Sequence, residues 1–390
     1  MWFKDCDSHY EYIAVYVDDI MIWGRQPMDT VRLLQERYSL KGVGRPEYYL
    51  GGDVGLKENR IYLSAETYIK RIITKIEELM SMTIKKYKTP MIADDHPEMD
   101  NTPLLNEKKI SLYRMLIGCA MWAITLGRFD IHYATSTLSR FLQIPREGHL
   151  KRAIRIIGFL KARVNAGIMI DGDQPDLTGF EFHDGDWSEV YPGATEELPY
   201  DMPAPKGQEA TIVSYFDADH ARDVVTRKSV TGILLSINRT PIQWYSKRQN
   251  TVESSTYGAE FVAGRIATDM IMEYRYRLRM SGVPVRQESY LLGDNASMIA
   301  SAAIPTNTLK KKHNAIAYHY VREAIAANII KIGYVQSNET FADVLTKPLG
   351  GTRLFELTQP ILLHHQYEIC LLYTSPSPRD GATSRMPSSA

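Results

Sequence analysis

The chain has no apolar run approaching the roughly eighteen residues that a membrane-spanning helix needs. It is also poor in cysteine. Cys6, Cys119 and Cys370 are far apart and fall in no metal-binding spacing, so neither a disulfide framework nor a cysteine-built zinc module is expected; the three are read as reduced bystanders. No charge of one sign predominates, since 46 Lys and Arg face 46 Asp and Glu. Any groove for nucleic acid must therefore be local. The opening residues, Met1-Trp2-Phe3-Lys4-Asp5, lack the apolar stretch of a secretory leader. An intracellular protein is expected, with two or three domains in 390 residues. At 44% hydrophobic residues it has enough apolar side chains for a sizeable core.

What is present is a set of acids at the ends of apolar segments. Residues 11–24, Glu-Tyr-Ile-Ala-Val-Tyr-Val-Asp-Asp-Ile-Met-Ile-Trp-Gly, read as a strand, a turn at Asp18-Asp19 and a returning strand. With both flanks apolar, the hairpin should be buried and only its tip polar. Such a tip is either an ordinary acidic turn or a pair whose repulsion a divalent cation relieves. Residues 60–165 read as mostly helical. Ser64 is placed to cap a helix running through Tyr68, Ile69, Ile72, Ile73, Ile76 and Leu79. The nearby Lys70, Arg71, Lys75, Lys85, Lys86 and Lys88 form a solvated face or a phosphate track. Residues 171–210, rich in Asp, Gly, Pro and Glu, read as a linker or poorly ordered insertion.

Beyond them the pattern predicts strands at 211–219, 230–237 and 241–246, a helix opened by Glu260, a strand at 290–292 ending at Asp294, helices at 295–303 and 315–327, a strand at 329–335, and a last helix with Asp343 in its first turn. The first three strands favour an antiparallel meander. A mixed five-stranded sheet with flanking helices, an α/β (α+β) fold, would set Asp217 and Asp294 on neighbouring strands, with Glu260 and Asp343 facing the same point. Four converging carboxylates suit hard divalent ions about 4 Å apart, the arrangement used to hydrolyse a nucleic-acid strand.

Tyr16-Val17-Asp18-Asp19 resembles the catalytic hairpin of reverse transcriptases in the Copia-type variant. Glu47-Tyr48-Tyr49-Leu50-Gly51-Gly52, Tyr113-Arg114-Met115-Leu116-Ile117-Gly118 and Arg128-Phe129-Asp130-Ile131 are similar to the segment that follows it. Residues 211–350 resemble a Copia-type ribonuclease H through Asp217-Ala218-Asp219, Arg227-Lys228-Ser229-Val230-Thr231-Gly232, Ser254-Ser255-Thr256-Tyr257-Gly258-Ala259-Glu260, Gly293-Asp294-Asn295 and Ala342-Asp343-Val344-Leu345-Thr346-Lys347-Pro348-Leu349. Two departures are His220-Ala221-Arg222 where the family has Trp-Ala-Gly, and Thr256-Tyr257-Gly258-Ala259-Glu260 in place of Thr-Glu-Ala-Glu.

The resemblance implies a C-terminal piece of a retrotransposon Pol polyprotein. Its parts would be a truncated polymerase palm at 1–59, a helical thumb or connection region at 60–170, the linker at 171–210, an RNase H-like domain at 211–350, a tail at 351–370, and a disordered stretch at 371–390 similar to translated sequencing adapter. Asp217, Glu260, Asp294 and Asp343 would be catalytic and would bind two Mg²⁺ ions, or Mn²⁺ in their place; Asp219 would support them. Asp18 and Asp19 would be metal ligands of the polymerase, whose third Asp is missing, because Asp5 and Asp7 lie too near. Polymerisation by this chain alone is not expected. Trp244, Lys247, Arg248 and Gln249, in a turn near the third strand, and Lys312 would contact an RNA–DNA hybrid, read by shape and 2′-hydroxyl. His313 and His319 are read as structural or surface residues in preference to product-release histidines. The implied partners are the hybrid and the rest of the polyprotein, without membrane or small-molecule cofactor. The implied location is the cytoplasm, within virus-like particles, and the nucleus. The alternative is an inactive relic that at most binds nucleic acid.

Overall fold

The computed structural model describes residues 1–57, 60–286, 288–309 and 315–364, with Leu363 and His364 described by backbone alone. Lys312, His313, Cys370 and residues 371–390 lie outside the described residues. The first segment forms β1 (Trp2–Asp5), β2 (Tyr10–Tyr16) and β3 (Asp19–Trp23), an antiparallel sheet in that order, followed by α1 (Pro27–Gln35). The hairpin differs from expectation in two ways. Tyr16 pairs with Asp19, so the turn is Val17-Asp18, and Val17 takes a φ of 52°, a left-handed conformation that β-branched residues rarely adopt. Nor is the hairpin buried: Tyr16, Val17, Ile20 and Trp23 are exposed. Three strands give the apolar side chains a sheet but no layer to cover its far end.

The second segment contains β4 (Tyr48–Tyr49), β5 (Gly52–Lys57), β6 (Arg60–Ser64), α2 (Glu66–Met80), α3 (Glu107–Thr125), α4 (His132–Ser139), α5 (Glu147–Ala162) and β7 (Ala166–Met169). Ser64 ends β6, and the residue before α2 is Ala65, with no side-chain cap. The expected cap is thus absent, because the last strand residue is committed to the sheet, where Ser64 pairs with Asp53 and Gly167. Arg128 and Asp130 are almost wholly buried, joined by two hydrogen bonds of 3.0 and 2.8 Å, and Arg128 also donates to the Arg163 carbonyl at 2.7 Å. Asp130→Ala would strand the guanidinium without a countercharge. It is expected to cost about 3–5 kcal/mol of stability in urea denaturation; a loss below about 1 kcal/mol would contradict this account.

Residues 171–210 contain no helix or strand, as expected, but they are not loose. Trp187 is buried beneath the Arg322 guanidinium, 4.7 Å from ring centroid to the guanidinium carbon. Glu196 accepts hydrogen bonds from both Arg275 and Arg279. Burial works against its ionisation, yet the two guanidiniums hold its pKa down to about 2. Irregular backbone is fixed here by long-range anchors.

The third segment builds β8 (Ile212–Asp219), β9 (Val230–Ile237), β10 (Thr240–Arg248), α6 (Thr256–Met280), β11 (Ser289–Gly293), α7 (Ala296–Ala303), α8 (Ala315–Ala326), β12 (Ile330–Tyr334) and α9 (Asp343–Thr346); α10 (Gly351–Thr358) and β13 (Leu362–His364) follow. The expected mixed sheet forms in the order β10-β9-β8-β11-β12, with β8, β9 and β10 antiparallel and β8, β11 and β12 parallel. Alternation along the strands divides the residues between two layers. Ile212, Phe216, Ile233 and Leu235 pack with Phe261, Ala263 and Ala267 of α6. Val230 and Leu234 of β9 join Val344 and Leu345 of α9 and the buried residues of α2, α3 and α5 in another core. That core crosses the expected boundary at 171–210. Another sheet, β13-β7-β6-β5-β4, joins β13 to the four strands of the second segment, and Leu354 and Leu357 of α10 lie in the shared core, so residues 351–364, expected as a tail, are part of the fold.

Candidate active site

Asp217 lies near the end of β8, and Asp294 directly follows the neighbouring strand β11. Glu260 was expected to open a helix. Instead α6 begins a turn earlier, with the Ser255 side chain accepting from the Gly258 amide as its cap, so Glu260 sits in the second turn. One carboxylate oxygen from each of Asp217, Glu260 and Asp294 lies within 4.8 Å of the others. Asp217 and Glu260 are buried and Asp294 half-buried. The Ala218 amide donates to Glu260 Oε1 at 3.3 Å, whereas Glu260 Oε2 is buried without a hydrogen-bond partner. Burial, followed by the charges of Asp217 and Asp294, drives the Glu260 pKa well above its ordinary range. Burial and Asp217 raise Asp294. Burial raises Asp217 too, opposed by Lys347 and reinforced by Asp343. Three mutually repelling carboxylates with an orphaned oxygen fit a bound divalent cation.

Asp343 is brought alongside this trio but differently employed. Gly232 pairs with Asp217 across β8 and β9, and a Cβ on it would lie 2.6 Å from Thr346 Cγ2 and 2.8 Å from the Ala342 carbonyl. The missing side chain lets α9 press onto the strand. Thr346 Oγ1 then donates to Asp217 Oδ2 at 2.5 Å, and the Asp343 charge comes near enough to help raise the Asp217 carboxyl. Asp343 itself is paired with Lys347 at 2.7 Å and faces Arg353 at 3.7 Å. Gly232→Ala must push α9 away. The variant is expected to lose about 1–3 kcal/mol of stability in urea denaturation with the sheet intact by far-ultraviolet circular dichroism; unchanged stability would contradict the packing argument.

The trio opens into a cleft of about 600 Å³ that also meets His96, Asp219, His220, Arg222, Thr256, Asn295 and Lys347. Asp219 accepts from the Val230 amide, and burial with the Asp217 charge raises its pKa to about 7. His96 comes from the second segment, which sequence reasoning did not connect with this site. The turn after β8 is fastened to that segment: Asp223 pairs with Arg140 at 2.6 Å (and, within the third segment, with Arg248 at 3.0 Å), Glu98 Oε1 accepts from the Val224 amide, and Arg222 reaches Asp94 at 3.7 Å. Lys347 and Arg353 were also missed, although Lys347 stands one helical turn after Asp343 in the sequence.

The expected nucleic-acid contacts separate. Trp244, Lys247 and Arg248 lie in β10 rather than a turn, and Trp244 packs 5.8 Å from Phe129. Lys247 is exposed, but Arg248 is engaged by Asp223. Gln249 is buried and donates to Thr231 Oγ1 and the Ala259 carbonyl, a structural use that removes it from a contact surface. His319 hydrogen-bonds the Tyr191 hydroxyl at 2.7 Å. Asp18 and Asp19 are exposed at their hairpin and, among the described residues, belong to no cluster of three potential metal ligands. No described helix is long and apolar enough to cross a membrane.

No family model matches the chain. The Retrovirus-related Pol polyprotein from transposon RE1 of Arabidopsis thaliana is 26% identical over 344 residues, 87% of this chain and 21% of that protein. Its counterpart from transposon TNT 1-94 of Nicotiana tabacum is 25% identical over 370 residues, 92% of this chain and 25% of that protein. The chain therefore spans a fifth to a quarter of the length of these curated relatives. Among solved structures, the N-terminal RNase H domain of Rv2228c from Mycobacterium tuberculosis covers 39% of this chain and 98% of its own at 12% identity, with a TM-score of 0.29. A likeness that slight carries no argument, and the fold rests on strand order and register. By its match to these polyproteins along most of its length, the chain is a homologue of the Pol polyproteins of Copia-type retrotransposons.

Proposed function

We propose that the chain hydrolyses the RNA strand of RNA–DNA hybrids, and the observation carrying this reading is the convergence of Asp217, Glu260 and Asp294 on one point. Asp217, Glu260 and Asp294, with Asp343 beside them, would hold two Mg²⁺ ions, or Mn²⁺. Bound there, the ions would supply an activated water and charge stabilisation for the leaving 3′-oxygen. The chain's own residues set the geometry. Thr346 fixes the Asp217 carboxylate and the Ala218 amide orients Glu260. Lys347, which the charges of Asp217 and Asp343 hold protonated against the effect of burial, offsets their repulsion. Lys247, exposed on β10, is free to meet a phosphate backbone. The division into a polymerase remnant, a connection region and a nuclease remains our reading of the three segments, as does the rest of the polyprotein as partner.

The test is cleavage of a hybrid labelled on its RNA strand by the full chain with Mg²⁺, with Glu260→Gln alongside and double-stranded RNA as control. Absence of cleavage by the unmutated chain, or equal cleavage by the variant, defeats the proposal. A second reading, hybrid binding without turnover, is favoured by one observation: Lys347 and Arg353 already place cationic charge on Asp343. Binding that survives while Mg²⁺ gives no product would select it. Asp18 and Asp19, with no third acid gathered beside them among the described residues, support no primer extension by this chain.

A further inference from the structure

A second group of potential metal ligands lies at the start of the chain, outside the carboxylate cleft. β1 and β2 pair with Lys4 opposite Glu11. Side chains alternate along a strand, so Cys6, two residues beyond Lys4, and His9, two before Glu11, fall on the face that carries Glu11. The turn between them is closed by the Cys6 amide donating to the His9 carbonyl at 2.9 Å. The Cys6 sulfur, a His9 ring nitrogen and a Glu11 carboxylate oxygen all lie within 4.8 Å of one another.

Two further observations mark this as more than proximity. His9 Nε2 is buried with no hydrogen-bond partner, while Nδ1 stands 3.2 Å from Ser8 Oγ. A hydrogen bond on one ring nitrogen that leaves the other bare is the arrangement metal-binding histidines use. Glu11 is 6% exposed, and its described hydrogen-bond donors are neutral: Thr30 Oγ1 at 2.9 Å and the Gln26 amide at 3.4 Å. These donors hold the carboxylate in place without balancing its charge.

We propose that Cys6, His9 and Glu11 form a site for Zn²⁺ or a similar borderline-soft divalent ion. Thiolate, imidazole and carboxylate are all zinc ligands, with bonds of roughly 2.0–2.3 Å, and three of them leave a fourth position for water. A thiolate and an imidazole select against Mg²⁺, which suits the all-oxygen cleft around Asp217. The ion would tie the β1–β2 turn to α1, where Thr30 resides. Cys6, a bystander by its sequence spacing, thereby gains a role that only strand register makes visible.

The test uses the full chain and the full chain carrying Asp217→Asn, which removes the carboxylate cleft as a competing site. Co²⁺ serves as probe, because a cobalt–thiolate bond absorbs in the near ultraviolet. One equivalent should bind in both proteins with that band, Zn²⁺ should bleach it, and excess Mg²⁺ should not. Cys6→Ser should abolish the band, and His9→Ala and Glu11→Gln should weaken binding at least about tenfold. Thermal melts without metal establish that each variant is folded, and Zn²⁺ should raise the melting temperature of the unmutated and Asp217→Asn chains more than that of Cys6→Ser. Absence of the band, or its persistence in folded Cys6→Ser, overturns the assignment.

Discussion

Asp217→Asn is expected to remove hybrid cleavage, by on the order of a thousandfold or more, while making the metal-free fold more stable. A thousandfold corresponds to about 4 kcal/mol of lost transition-state stabilisation, a reasonable share for a carboxylate that would hold the catalytic ions. The gain in stability follows from the sign of the pKa shift. Burial, aided by Asp343 and opposed by Lys347, raises the Asp217 carboxyl in the folded chain. A carboxyl raised on folding binds its proton more tightly in the native state. It therefore opposes folding as pH rises above its unfolded pKa of about 3.9, and the full penalty is reached above the folded pKa. Asparagine carries no charge to penalise. Melts in a chelator from pH 4 to pH 8 should show the unmutated chain losing stability across this window and the variant losing less. Mg²⁺ should restore the former more than the latter. A variant that neither cleaves nor folds leaves cleavage to be judged on Glu260→Gln, and a folded variant that still cleaves sinks the proposed role of Asp217.

The second large effect concerns truncation. Residues 211–350 expressed alone are expected not to form a stable domain. Cutting away the second segment would uncover Val230, Leu234, Val344 and Leu345, all now buried in a core shared with α2, α3 and α5. At about 1.5–3 kcal/mol for each fully buried side chain, the four together lose about 6–12 kcal/mol, comparable to the 5–15 kcal/mol net stability of a whole domain. The ion pair from Arg140 to Asp223 and the amide contact from Val224 to Glu98 go with them. Residues 60–364 should unfold in one cooperative transition, whereas the isolated piece should bind a hydrophobic dye and show little amide protection. Equal protection in the two would refute the shared core.

The third segment was the most legible in the sequence. Its strands read as short apolar runs between turns, and Asp217 and Asp294 stand near or just past strand ends, although α6 starts a turn before Glu260 at the Ser255 cap. Asp217, Glu260 and Asp294 could therefore be placed together before any coordinates. Other features depend on contacts that no local pattern encodes. Gln249 looks like a surface amide until Thr231 and Ala259 are seen to close over it. His96 reaches the cleft across more than a hundred residues of chain. The apolar flanks of Asp18-Asp19 signalled a need for cover, and pattern alone cannot say whether the covering layer is present. Residues 171–210, read as a linker or poorly ordered insertion, contain no helix or strand, and their order comes from Trp187 and Glu196, whose partners lie far along the chain.

Because β9, α9 and the helices of the second segment share one core, an exposed site in the irregular stretch lies apart from the seam where the parts would separate. Tyr200, fully exposed in the irregular stretch, is a natural point for a protease to nick. Such a nick leaves the apolar seam untouched, so the two products would travel together through a sizing column as one particle. In a polyprotein, scission at this stretch would be maturation without release.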